Sequence, residues 1–328
     1  MSSNLKIAAA FLFSAALLYL GFTYLLSVEQ RALFFSIPFE IHVISVCLTV
    51  PGFFANGIEL RLLYSRISKI RLSAYDTITL PFVINLWGFV LPFQGSLIYT
   101  TAYIYLKYKK GVADSLKAYL ISFSIAMSIA GAAGLLFAGF SNIHFSMLFI
   151  SACLFLLINP VFLYAAGRFA GNYTSNAHSA SLAKRVARSL APSEHVDKQL
   201  VVYLVLLKLL NVSLACMWAY WAVIYLKINF SLIQLGLIFL LMNLTMLVKI
   251  LPGNIGINQF AAGGLALLVG GTANDGFMLS SFQYLTNIFI AIIFGGIFSF
   301  LNFKYFSWSE MKQAMKQKFT ENNGPDRK

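Results

Sequence analysis

Nine long runs without a charged residue take up most of this 328-residue chain, at 7–27, 41–58, 77–106, 118–143, 145–167, 209–226, 228–248, 250–274 and 276–303. A helix needs about 20 residues to cross roughly 30 Å of bilayer hydrocarbon. Backbone polar groups in that layer must be satisfied inside the chain, which restricts such runs to helices. Charged residues make up 11% of the sequence and hydrophobic ones 59%, with a mean hydropathy of +0.77. A soluble domain carries about 25% charge. The expectation is an all-α polytopic membrane protein.

The net charge of +13 does not point to nucleic acid, because the basic residues sit between the apolar runs. Cytoplasmic loops collect Lys and Arg in this way. Arg66, Lys69 and Arg71 precede the run 77–106, and Lys107, Lys109, Lys110 and Lys117 follow it. A single crossing would leave one of these clusters outside. The conflict disappears if 77–106 enters and leaves on one side. Pro92 and Gly95 near its middle divide it into arms of about 15 residues, or about 22 Å of helix. Such arms are too short to cross, so the run is expected to form a re-entrant hairpin.

The rest of the topology follows, with both termini inside. On this layout 19 of the 24 basic residues are cytoplasmic. The order becomes span, span, hairpin, span, repeated with opposite orientation, as in many secondary transporters. Residues 1–143 form the first membrane repeat, with its broken hairpin at 77–106. Residues 145–303 form the second, with a cytoplasmic linker at 168–199 and a broken hairpin at 228–274. The total is about six full spans plus two broken hairpins, or eight helices by hydropathy. Ile7–Ser27 has no clear small-x-small cleavage pattern and is read as a retained span. The linker and the 304–328 tail read as basic amphipathic helices, either lying on anionic headgroups or simply solvated.

The two Pro/Gly breaks are the candidate substrate-binding residues. The first offers Asn85, Pro92, Gln94, Gly95 and Ser96. The second offers Lys249, Pro252, Gly253, Asn254, Gly256, Asn258 and Gln259. Helix N-termini at such breaks present free N–H groups suited to phosphate or carboxylate. The alternative is a pair of kinks filled by protein contacts. Lys249 sits deep in the membrane if the second hairpin is re-entrant, and in a cytoplasmic loop if 228–248 spans alone. Glu59 and Arg61 read either as interfacial snorkelling residues or as a coupling pair. Lys208 is expected near the cytoplasmic interface. Cys47, Cys153 and Cys216 all lie in apolar runs and read as small buried hydrophobes. No HExxH, Walker A, GxSxG or Cys/His cluster exists, so neither an enzyme, a metal nor a cofactor is expected.

At the two breaks the chain resembles the membrane region of the lysylphosphatidylglycerol synthase/flippase family, which also occurs as stand-alone membrane proteins. The second family signature is roughly Pro-Gly-Gly-x-Gly-x-x-Glu before a Gly-rich apolar run. Here LPGNIGINQFAAGGLALLVGG matches at Pro252, Gly253 and Gly256, with Asn254 for a Gly and Gln259 for the Glu. The first signature matches loosely at Asn85, Pro92 and Gly95, with Ser96 at the Glu position. The aminoacyl-transfer domain of fused members is expected to be absent. The resemblance implies a role in envelope lipid or glycan pathways at a bacterial inner membrane. The expected function is flipping of an anionic lipid or lipid-linked glycan by alternating access. The alternative is a non-transporting membrane partner of an envelope-biosynthesis enzyme.

Overall fold

A computed structural model describes residues 3–91, 95–110, 112–140, 150, 153–158, 198–242, 245 and 251–302. Pro92, Gln94, Asn243, Lys249, most of run 145–167, nearly all of the 168–199 linker and the 304–328 tail lie outside the described residues. The described residues contain helices and no strand. In chain order the helices are α1 (Ser3–Tyr24), α2 (Val28–Phe35), α3 (Phe39–Ile67), α4 (Ala74–Val90), α5 (Gly95–Tyr108) and α6 (Val112–Phe140). There follow α7 (Lys198–Tyr225), α8 (Leu232–Leu241), α9 (Ile257–Leu268) and α10 (Ala273–Asn302), the last with a π-helical turn at Ala291–Gly295.

Among the described residues, α3, α7, α10 and the Asp114–Leu136 part of α6 are long and apolar enough to cross a membrane. The fold is that of a helical membrane protein. Helix α3 has 29 residues, about 43 Å of helix. It continues well past the apolar run 41–58, because Glu59 finds a partner inside the protein rather than ending the helix.

Run 77–106 folds as two short helices, α4 and α5, with 17 and 14 residues. At 1.5 Å per residue they are about 25 and 21 Å long, both short of a crossing. Their open ends are tied together at Asp76, which is fully buried in the first turn of α4. The Lys107 ammonium donates to both carboxylate oxygens, at 2.7 and 2.9 Å. The hydroxyls of Tyr103 and Tyr108 donate to the same carboxylate. The Asp76 N–H in turn donates to the Ser73 side chain, which caps the helix, at 3.0 Å. Asp76 lies outside the four long apolar helices. Burial would raise its pKa, but Lys107 and the hydroxyl donors outweigh that and hold the carboxyl below its ordinary range.

Helices α8 and α9 are also tied together at their ends. Ser231 caps α8, receiving the Gln234 N–H at 3.3 Å. The Gln234 amide then donates to the Val269 carbonyl just past α9, at 2.7 Å. In both hairpins the third residue after the capping serine reaches across to the returning helix. Asn85 and Asn243 each stand 12 residues after their serine.

Each hairpin lies directly against a long helix. A Cβ on Gly57 of α3 would come within 1.9 Å of the Thr77 carbonyl in α4. A Cβ on Gly276 of α10 would come within 2.3 Å of the Ala262 carbonyl in α9. Some buried polar groups pair between the long helices. Trp218 of α7 donates to the Ser45 hydroxyl of α3 at 2.6 Å, and Ser45 and Thr286 of α10 share a hydrogen bond of 2.6 Å.

Replacing Asp76 by Ala removes the common acceptor of three donors at the hairpin mouth. The expected cost is about 3–5 kcal/mol, the range for breaking a buried ion pair. Thermal unfolding in detergent should show a clearly lowered midpoint for Asp76→Ala. A carboxyl with a depressed folded-state pKa contributes stability above its unfolded value and loses it as pH falls through the folded one. The wild-type midpoint should therefore fall in acid, and that portion of the fall should vanish in Asp76→Ala.

Candidate functional site

The second break is built from backbone that only particular residues tolerate. Leu251 is extended, Pro252 opens a single 3-10 turn, and Gly253, Asn254 and Gly256 all have positive φ, at 58°, 55° and 83°. Glycine adopts this region without the penalty a Cβ brings. Space is also short. A Cβ on Gly253 would meet the Phe89 ring of α4 at 2.5 Å and the Tyr284 hydroxyl of α10 at 2.6 Å. A Cβ on Gly256 would meet Leu17 of α1 at 2.5 Å. The break is therefore wedged between the first hairpin, α10 and α1.

Side chains take over the hydrogen bonding that the helix gives up here. The Gly256 N–H donates to the Gln259 amide oxygen at 2.7 Å, and the Asn254 amide donates to the Thr245 carbonyl at 2.9 Å. Gln259 thus satisfies the free N–H at the start of α9. It is fully buried.

A cavity of about 630 Å³ opens beside this break, within the usual range for small-molecule sites. Its wall includes Asn85, Gly95 and Ser96 from the first hairpin and Gly253, Asn254 and Asn258 from the second. Both candidate breaks thus face one space. Asn85 is held in place by donating to the Asn287 carbonyl of α10, at 3.3 Å. Pro252 and Gln259 stand behind the wall rather than in it.

The wall holds polar atoms with no protein partner among the described residues. Among them are the side-chain oxygens of Asn254 and Asn258 and the hydroxyl of Tyr284, all buried. Leaving such a group dry and unpaired costs about 1–3 kcal/mol each.

Across the same cavity lies an ion pair. Glu59 of α3, only 4% exposed, sits 2.9 Å from the Lys208 ammonium of α7 and receives the Ser122 hydroxyl of α6. All three residues line the wall. Lys208, which pairs with Glu59, lines the cavity. Arg61 does not accompany Glu59: its side chain is exposed and lines a separate pocket. Among the described residues no group of three or more His, Cys, Asp or Glu is arranged to hold a metal.

Tyr284, Asn287 and Ser122 lie in runs that read simply as spans, and no local pattern marks them. The Glu59–Lys208 pair did leave a signal, since each residue interrupts the end of an apolar run.

No family model, curated protein or solved structure matches this chain.

Lys208→Met leaves Glu59 buried without its cation, which is expected to cost about 3–5 kcal/mol. The double variant Glu59→Gln/Lys208→Met removes the stranded charge and should recover most of that loss. Denaturation of the wild type, both single variants and the double variant in detergent measures the coupling directly.

Proposed function

We propose that this chain moves an anionic lipid or lipid-linked glycan across a bacterial inner membrane, taking the polar headgroup into the cavity between its two hairpins. The observation that carries the reading is the make-up of that cavity. Both broken segments meet there, and a cation faces neutral hydrogen-bonding groups across it. A phosphate-bearing headgroup would pair with Lys208, while its hydroxyls meet the half-buried Asn85, Ser96 and Asn258 of the same wall. Glu59 neutralises Lys208 when the cavity is empty, so that no lone charge is left in a low-dielectric space.

Alternating access would come from rocking of two inverted halves, residues 1–143 and 145–303, with both termini cytoplasmic. The matching Ser73–Asp76 and Ser231–Gln234 arrangements support a duplicated plan. Outward movement of one negative charge gains about 2.3 kcal/mol per 100 mV when the inside is negative. Kinship with the lysylphosphatidylglycerol synthase/flippase membrane region belongs to the same proposal and rests on the two Pro/Gly motifs.

The test is a reconstituted vesicle assay with headgroup-labelled phosphatidylglycerol, read by quenching of label remaining in the outer leaflet. Wild-type protein should speed exchange well above protein-free vesicles. Lys208→Ala/Glu59→Gln should lower the rate about tenfold or more, and Lys208→Arg should keep much of it. If labelled phosphatidylglycerol and a panel of anionic glycolipids all exchange at the protein-free rate, the translocator reading fails.

A further inference from the structure

A second pocket, of about 470 Å³, lies away from the central cavity, where α3 meets the start of α4. It is lined by Ile58, Arg61, Leu62 and Ser65 of α3, by Arg71 of the connection, and by Thr77 of α4. The two helices touch at its base, since the Gly57 position abuts the Thr77 carbonyl.

The electrostatics of this pocket are unbalanced. Neither Arg61 nor Arg71 has an ion-pair or hydrogen-bond partner among the described residues. The carboxylates nearest in sequence are committed elsewhere, Glu59 to Lys208 and Asp76 to Lys107. The hydroxyls of Ser65 and Thr77 donate to backbone carbonyls of Leu62 and Ser73, at 2.9 and 2.8 Å. The two guanidiniums are therefore the pocket's uncommitted donors. Two like charges facing one space repel unless an anion lies between them, and a guanidinium fork matches phosphate oxygens bidentately.

The apolar side of the pocket identifies the kind of anion. Ile58 is 47% exposed, and Phe54, one turn further into the span, is 42% exposed. Both lie on the face of α3 that carries Arg61, Leu62 and Ser65, because positions three and four apart share a helix face. This face is apolar along the span and cationic at its end, as an acyl chain and its phosphate require. Basic pockets between membrane helices hold anionic lipid headgroups in this manner.

We infer that the α3–α4 groove is a binding site for an anionic glycerophospholipid, with Arg61 and Arg71 on its phosphate and Phe54 and Ile58 against an acyl chain. The site is distinct from the central cavity and does not rest on translocation. A bound lipid would bridge α3 to the mouth of the first hairpin, beside the Asp76 tie.

Native mass spectrometry of the full-length detergent-solubilised protein tests it, with phosphatidylglycerol and phosphatidylcholine of identical chains as probes. Wild-type protein should retain phosphatidylglycerol adducts at lipid concentrations where phosphatidylcholine is lost. Arg61→Gln/Arg71→Gln should weaken phosphatidylglycerol retention about tenfold or more. Lys69→Gln, which removes a neighbouring charge outside the pocket, should change it less than twofold. Arg61→Lys/Arg71→Lys keeps the charge and should retain an intermediate share, giving a readout if the Gln variant does not fold. Equal retention of the two lipids overturns the site. So does unchanged binding in the Gln and Lys double variants, or an equal loss in Lys69→Gln.

Discussion

Asp76 sets the form of the first hairpin. Its buried carboxylate stands at the start of α4 and takes hydrogen bonds from Tyr103, Lys107 and Tyr108 at the end of α5. With both ends held at one point, two helices too short to cross the hydrocarbon are held side by side. At the other ends of the two helices, Leu91, Gly95 and Ser96 line the cavity wall. The second hairpin solves the same problem with a neutral side chain, Gln234, and a weaker bond.

Breaking a helix has a cost in unpaired backbone groups. At the second break, Gln259 and Asn254 absorb much of it by bonding the freed backbone. Some polar atoms remain unmatched, on Asn254, Asn258 and Tyr284, all residues of the cavity wall. The same local irregularity therefore explains the positive φ angles, the need for glycine and the presence of a polar wall in an apolar protein. The ion pair on the opposite wall is a separate arrangement contributed by α3 and α7, with α6 donating a hydroxyl.

How much was legible in the sequence depended on how local the signal was. The long apolar helices follow from uncharged runs, and the hairpin form of 77–106 follows from basic clusters on both flanks with Pro92 and Gly95 between. Pro252, Gly253 and Gly256 announce a break because proline and glycine carry backbone information on their own. The Glu59–Lys208 pair was hidden because the two residues are far apart in the chain and meet only through packing of α3 on α7. Read locally, each looks like a residue snorkelling to an interface. Ser73-x-x-Asp76 and Ser231-x-x-Gln234 carry a helix-start signature, but their second task, tying the returning helix, needs the fold. Tyr284 and Asn287 sit in a run that reads as an ordinary span, and nothing around them sets them apart.

The central claim is that α4 and α5 form a closed-ended hairpin whose two ends emerge together. Single cysteines at Lys69 and Lys110, in a background lacking Cys47, Cys153 and Cys216, test it most directly. A membrane-impermeant maleimide applied to sealed, oriented vesicles should label both positions from the same side. Labelling of positions 69 and 110 from opposite sides would mean that 77–106 crosses the membrane, and would contradict both the hairpin and the inverted arrangement built on it.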